Sequence, residues 1–183
     1  LVVLSAPSGG GKTTVIKRLL SEENPDWVYS ISVTTRQQRK SEVNGKDYWF
    51  LSQQEFELKI ENNELVEYEK VHDHYYGTPK APIEEWIENG KTVFLDIDVF
   101  GAKHVKEQFP NDSILIFLKP PSLEVLKKRL ANRKTESAAQ IKRRLERLPL
   151  EMEQAKHFDF VVVNHDLEKA ARQVKECIAS SKK

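Results

Sequence analysis

The stretch Ala6-Pro7-Ser8-Gly9-Gly10-Gly11-Lys12-Thr13-Thr14 places consecutive glycines ahead of a lysine and paired threonines. A glycine turn between a strand and a helix can present consecutive backbone N–H groups to an anion, and the helix N-terminus adds its partial positive charge. In that setting Lys12 reaches between the β- and γ-phosphates of ATP and the Thr13 hydroxyl faces Mg²⁺. Ala6 stands where the pattern has its first glycine, and a methyl group fits there only if the backbone needs no positive φ. The bland alternative is a glycine turn that merely joins two elements.

A second set of groups closes the run Thr92–Asp98 (TVFLDID). Read as a strand, it puts Asp96 and Asp98 on one face by period two, at the carboxyl end of a parallel sheet where ligands bind. Acidic residues there orient Mg²⁺ and its waters. Asp96 is therefore expected in the magnesium shell and Asp98 on the side of the phosphoryl acceptor. The alternative is a carboxylate pair that caps the following helix.

The elements that must hold these groups are legible from periodicity. Aliphatic runs at Leu1–Leu4, Thr92–Asp98, Ser113–Leu118 and Phe158–Val163 read as buried strands. Helical patterns lie between and after them, at Thr13–Leu20, Val99–Gln108, Ser122–Ala131, Ala138–Lys156 and Leu167–Ser180. This alternation predicts an α/β fold with a parallel sheet flanked by helices. Pro120-Pro121-Ser122 stops a strand and supplies a helix N-cap. The stretch from Ser32 to Thr78 breaks the rhythm with the short runs Tyr48–Leu51 and Leu65–Tyr68, as an inserted small mixed sheet would. Within it Ser52 and Glu55 form a capping box.

With 183 residues and a net charge of +1, the chain is read as one domain with no global field drawing it to nucleic acid or membrane. The single cysteine, Cys177, excludes an internal disulfide framework and points to a reducing, cytoplasmic setting. No apolar run is long enough to span a bilayer. No signal peptide is expected either, since the glycine-loop strand starts at Leu1, and a few natural residues are expected before it.

Ser32-Val33-Thr34-Thr35-Arg36, Arg39, Glu42-Val43-Asn44-Gly45-Lys46-Asp47-Tyr48 and Tyr75-Tyr76-Gly77-Thr78 resemble the guanylate kinase family in order and spacing. The glycine loop before them and Leu95-Asp96-Ile97-Asp98 after them also fall in place, so the likeness covers essentially the whole chain. The resemblance implies a P-loop nucleoside monophosphate kinase fold in one domain, with a core (1–31, 82–125, 155–183), a GMP-binding lobe (32–81) and a helical lid (126–154). It implies transfer of the ATP γ-phosphoryl group to GMP, with dGMP expected as a further acceptor and Mg²⁺ accompanying ATP. Arg36, Arg39, Tyr48 and Tyr76 would hold the acceptor phosphate, a dianion suited to arginine forks and hydroxyl donors. Glu67 would accept the two guanine donors N1–H and N2–H₂, while Ser32, joined by Thr78, would donate to O6. Arg129, Arg133 and Arg144, in the basic stretch Lys127–Arg147, match lid arginines that neutralise charge on the transferring group. Asn164 matches a residue near the adenine. Lys12, Arg36, Arg129, Arg133 and Arg144 are the expected catalytic groups, and the loop from Ala6 to Thr14 the ATP cradle. Two departures from the family pattern stand out: Phe100 in place of glutamine, and Lys134 in place of glycine.

Three other readings compete. A kinase for AMP or a pyrimidine monophosphate is opposed by Ser32 and Glu67. A non-catalytic, guanylate-kinase-like protein-binding domain would typically lose the working loop, whereas Lys12 and Thr13 are present. An RNA-binding module is disfavoured by the near-zero net charge. The five histidines show no metal-ligand spacing.

Overall fold

The computed structural model describes residues 1–71, 73–132 and 138–181. In chain order it runs β1 (Val2–Ser5), α1 (Lys12–Leu20) and β2 (Trp27–Tyr29), then β3 (Val33–Thr34), β4 (Trp49–Phe50), α2 (Gln53–Glu61), β5 (Leu65–Val71) and β6 (His74–Pro79). Next come α3 (Lys80–Glu88), β7 (Thr92–Asp96), α4 (Val99–Gln108), β8 (Ile114–Lys119) and α5 (Leu123–Asn132). The chain continues with α6 (Ala138–Gln154), a 3₁₀ turn (Ala155–His157), β9 (Phe160–Val163) and α7 (Leu167–Ser181).

Five strands form a parallel sheet in the order β2-β7-β1-β8-β9. β1 is the middle strand, buried on both faces, which is why its residues are aliphatic without alternation. Val2 and Leu4 face one layer, with Val15, Ile16 and Leu19 of α1 and Ala171, Val174 and Ile178 of α7. Val3 faces the other, with Ile83 of α3 and Ala102 and Val105 of α4. The helices thus cover both faces of the sheet, and the strand ends that carry the glycine loop and Asp96 open at one edge.

The lobe between β2 and α3 is a four-stranded mixed sheet in the order β4-β3-β6-β5, with β3 parallel to β4 and antiparallel to β6. Phe56 of α2 plugs its small core against Val33 and Leu65. The capping box forms as expected: Ser52 accepts from the Glu55 N–H, and Glu55 accepts from the Ser52 N–H. Ser122 likewise caps α5 by accepting from the Val125 N–H at 3.2 Å.

Three differences from the sequence reading have physical causes. The strand expected over Thr92–Asp98 ends at Asp96. Asp98 instead takes extended backbone at the N-cap of α4 and accepts from the N–H groups of Phe100 and Gly101. β2 and α3 were not expected. β2 has only three residues and pairs with β7 at the edge of the sheet, and α3 follows β6 without an intervening loop.

Candidate active site

The loop after β1 is built as an anion cradle. Gly9 and Gly11 sit at φ of 84° and 93°, a region closed to most side chains. Gly11 is also pressed against Asn164: a Cβ there would lie 2.5 Å from Nδ2. Ala6 is buried and has no positive φ, so its methyl group is tolerated; it fills the space that Gly10 leaves, 2.5 Å from where a Gly10 Cβ would stand. α1 starts from Gly11 with no side-chain cap and no acid in its first turn. Its first N–H groups are therefore left for a ligand.

Lys12 and Thr13 both turn toward Asp96. Lys12 Nζ lies 3.6 Å from Asp96 Oδ1 and 3.5 Å from the Ala6 carbonyl, and the Thr13 hydroxyl donates to Asp96 Oδ2. One hydroxyl beside one carboxylate fits Mg²⁺, which keeps its waters and takes phosphate oxygens rather than filling an all-protein cage. Among the described residues there is no cluster of three or more His, Cys, Asp or Glu side chains able to hold a metal by itself.

Facing the loop across a cleft of about 640 Å³ is the lobe sheet. Ser32, Arg36, Arg39, Tyr48, Glu67 and Tyr76 line that cleft together with Asp96, Asp98 and Arg144. Arg36 forks onto Glu42 at 2.8 and 3.0 Å, and its guanidinium lies 5.4 Å from the Tyr48 ring centre and 5.6 Å from that of Phe50. Arg39 Nη1 stands 3.6 Å from the same Glu42 carboxylate. The Tyr48 and Tyr76 rings meet edge to face at 6.1 Å. Burial, reinforced by Asp96, raises the Tyr48 phenol, so its hydroxyl remains a hydrogen-bond donor.

Glu67 is buried at the far end of the cleft. The Thr78 hydroxyl donates to its Oε1, and Oε2 lies against Gly101 of α4, where a Cβ would collide with it. Burial, against the Thr78 bond and aided by Asp98 and Glu69, pushes the Glu67 carboxyl up to about 8. Thr78, expected beside Ser32, thus spends its proton on orienting Glu67.

The remaining groups divide. Arg144 donates to the Ser8 hydroxyl at the rim of the loop. Arg129 and Asn164 come together behind the loop rather than within the cleft. Arg129 Nη2 donates to the Asn164 carbonyl at 2.9 Å, Asn164 Nδ2 donates to the Gly10 carbonyl at 2.7 Å, and Arg129 Nη1 is buried without a hydrogen-bond partner among the described residues. Arg133 and Lys134 lie outside the described residues. Phe100 is half-buried, and its N–H serves the Asp98 cap.

Four contributors escaped the sequence reading as site residues. Glu42 gathers both lobe arginines and Gly101 seats Glu67. Arg147 of α6 stands 3.6 Å from Asp98 Oδ2 and 3.9 Å from Glu151, whose Oε2 is buried with no hydrogen-bond partner among the described residues. Arg147 and Glu151 had a faint signal, a basic–acidic pair at helical spacing. Gly101 had none, because its role depends on a residue from another element.

A central parallel sheet, an uncapped glycine loop carrying Lys-Thr, and a lobe sheet across the cleft define a P-loop kinase fold. The guanylate kinase family model matches residues 1–181. The chain therefore belongs to the guanylate kinase family. It is 47% identical over 180 residues to guanylate kinase of Oceanobacillus iheyensis, covering 98% of this chain and 86% of that protein. To guanylate kinase of Enterococcus faecalis it is 45% identical over 180 residues, covering 98% and 88%. The crystal structure of guanylate kinase from Anaplasma phagocytophilum superposes with a TM-score of 0.80 at 32% identity, over 98% of this chain and 84% of that one.

Proposed function

We propose that this chain is an ATP:GMP phosphotransferase acting in purine nucleotide metabolism. An oxygen of the GMP phosphate attacks the ATP γ-phosphorus, the bond from that phosphorus to the β–γ bridging oxygen breaks, and ADP and GDP result. The observation that supports this most is the sharing of one cleft by two unlike ends. At one end are Lys12, Thr13 and Asp96; at the other, Glu67 and Ser32, with Arg36, Arg39, Tyr48 and Tyr76 between them.

No general base is needed, because the acceptor phosphate is already a nucleophile near neutral pH, and catalysis is positioning plus charge stabilisation. Arg36, Arg39, Tyr48 and Tyr76 hold the acceptor phosphate, and Asp98 serves the acceptor side. Lys12 and Arg144, with Arg133, meet the negative charge on the transferring group, while Arg129 braces Asn164 behind the loop. The segment 126–154 acts as the lid over ATP, and Asn164 borders the adenine. Thr13 and Asp96 would hold Mg²⁺ together with ATP, and the ion would supply charge neutralisation on the phosphates. dGMP is a further acceptor, and the setting is the cytoplasm. No described helix is long and apolar enough to cross a membrane.

The test is ADP formation from ATP with GMP or AMP as acceptor. ADP with GMP and almost none with AMP is expected, because a site built to accept two donors leaves buried groups unpaired against adenine, a mismatch worth about 10⁴-fold. Efficient use of AMP, or no turnover of GMP, overturns the reading.

A further inference from the structure

We propose that Glu69 is a sugar-reading residue, accepting a hydrogen bond from a ribose hydroxyl of the acceptor nucleotide and favouring ribo- over deoxynucleotides. The inference rests on the functional reading above and names a contact that reading lacks. In the β5–β6 register Glu67 stands opposite Thr78 and Glu69 opposite Tyr76. Residues two apart on a strand share a face, and the step from Glu67 to Glu69 is roughly 7 Å. That step runs from the carboxylate that reads the base toward the tyrosine that holds the phosphate. In a nucleotide lying along this wall, the sugar occupies the span between.

Glu69 is shaped for such a contact. It lines the cleft with a side chain 27% exposed, so a carboxylate oxygen is accessible but not free in bulk solvent. His104 of α4 fixes it from the side, with Nδ1 3.6 Å from Oε1. A further carboxylate beside a phosphate dianion would oppose binding if left bare. Burial and then Asp98 raise the Glu69 carboxyl, and His104 and Arg147 act the other way, toward its ionised form. A carboxylate so tempered is a strong acceptor for a neutral hydroxyl, a bond that a deoxy sugar cannot make. The competing account is an ion pair with His104 that never meets the substrate.

The experiment compares kcat/KM for GMP, dGMP and 3′-deoxy-GMP in the wild type, Glu69→Ala and Glu69→Gln. The wild type is expected to favour GMP over at least one deoxy analogue by about tenfold, the scale of one hydrogen bond to a charged group. Glu69→Ala is expected to narrow that ratio to within about twofold, with the loss falling on GMP. If Glu69→Ala does not fold, Glu69→Gln carries the same comparison with a weakened acceptor and a narrowed ratio. A wild type without ribo preference, or a preference that survives both substitutions while GMP turnover persists, overturns this inference alone. A wild type inert toward GMP overturns the functional reading and the inference with it.

Discussion

Glu42 closes both carboxylate oxygens on the Arg36 guanidinium, at 2.8 and 3.0 Å, and takes the Arg39 backbone N–H at 2.8 Å. Burial alone would raise this carboxyl, but the Arg36 and Arg39 bonds outweigh it and hold it below its ordinary range. It therefore stays ionised at working pH and fixes the fork before any acceptor arrives. Preorganised donors lose less entropy on binding a dianion. Glu42→Gln is expected to raise the KM for GMP by about tenfold, as loss of a charged hydrogen bond does, and to leave the KM for ATP nearly unchanged. Steady-state kinetics with each nucleotide varied in turn checks this; equal shifts in both would remove Glu42 from the acceptor side.

Lys12 lies beside Asp96 and the Ala6 carbonyl rather than in a hydrophobic cluster. Its replacement by Met should therefore spare the fold and remove charge stabilisation from the transferring phosphoryl group. The expected fall in kcat is on the order of 10²–10³. A purified Lys12→Met protein with an unchanged melting curve and near-wild-type turnover would reduce the loop to a turn.

The parts of the fold that sequence made legible are those whose cause is local. Leu1–Leu4 reads as a central strand because both of its faces are buried, and Ser52 with Glu55 reads as a cap because its partners are three residues apart. β2 escaped because Trp27–Tyr29 is too short to show a period, and Pro79–Lys80 offers no loop to mark the start of α3. Asp98 reads as part of the strand because alternation cannot show where a strand stops. The cleft depends on distant pairings: Glu67 against Gly101, and Arg147 against Asp98. No spacing rule joins these residues, and the roles given to Glu67, Arg36 and Arg144 came from resemblance rather than from pattern.

Gly101 gives a way to separate recognition from stability. It is the third residue of α4, a helical position at which alanine costs less backbone entropy than glycine. A Cβ at this position would meet Glu67 Oε2. Gly101→Ala should thus hold or raise the melting temperature while displacing Glu67, lowering kcat/KM for GMP at least about tenfold with the KM for ATP intact. Loss of stability together with loss of affinity for both nucleotides would show that the glycine serves packing alone.

The position of Glu67 carries a cost that pH should reveal. Its carboxyl is pushed up to about 8 from an ordinary 4.5, burial being the largest cause, so the folded protein retains a proton that the unfolded chain gives up. A raised folded value contributes stability that is full below the unfolded value and lost as pH climbs through the folded one. Wild-type stability should therefore decline between pH 4.5 and 8, by on the order of a few kcal/mol from this group. Glu67→Gln, which cannot ionise, should lack that part of the decline and melt higher than the wild type at pH 8, while losing GMP turnover sharply. Guanine reverses the preference, because its two donors favour the ionised carboxylate. GMP binding should then release a proton, and affinity should rise about fivefold from pH 7 to pH 8 beyond the change seen in Glu67→Gln. Thermal melts of both proteins across this range, and calorimetry of GMP binding in buffers of different ionisation enthalpy, give the two readouts. Parallel melting profiles in the wild type and Glu67→Gln, or GMP binding without proton release, would mean that Glu67 is already ionised in the free protein.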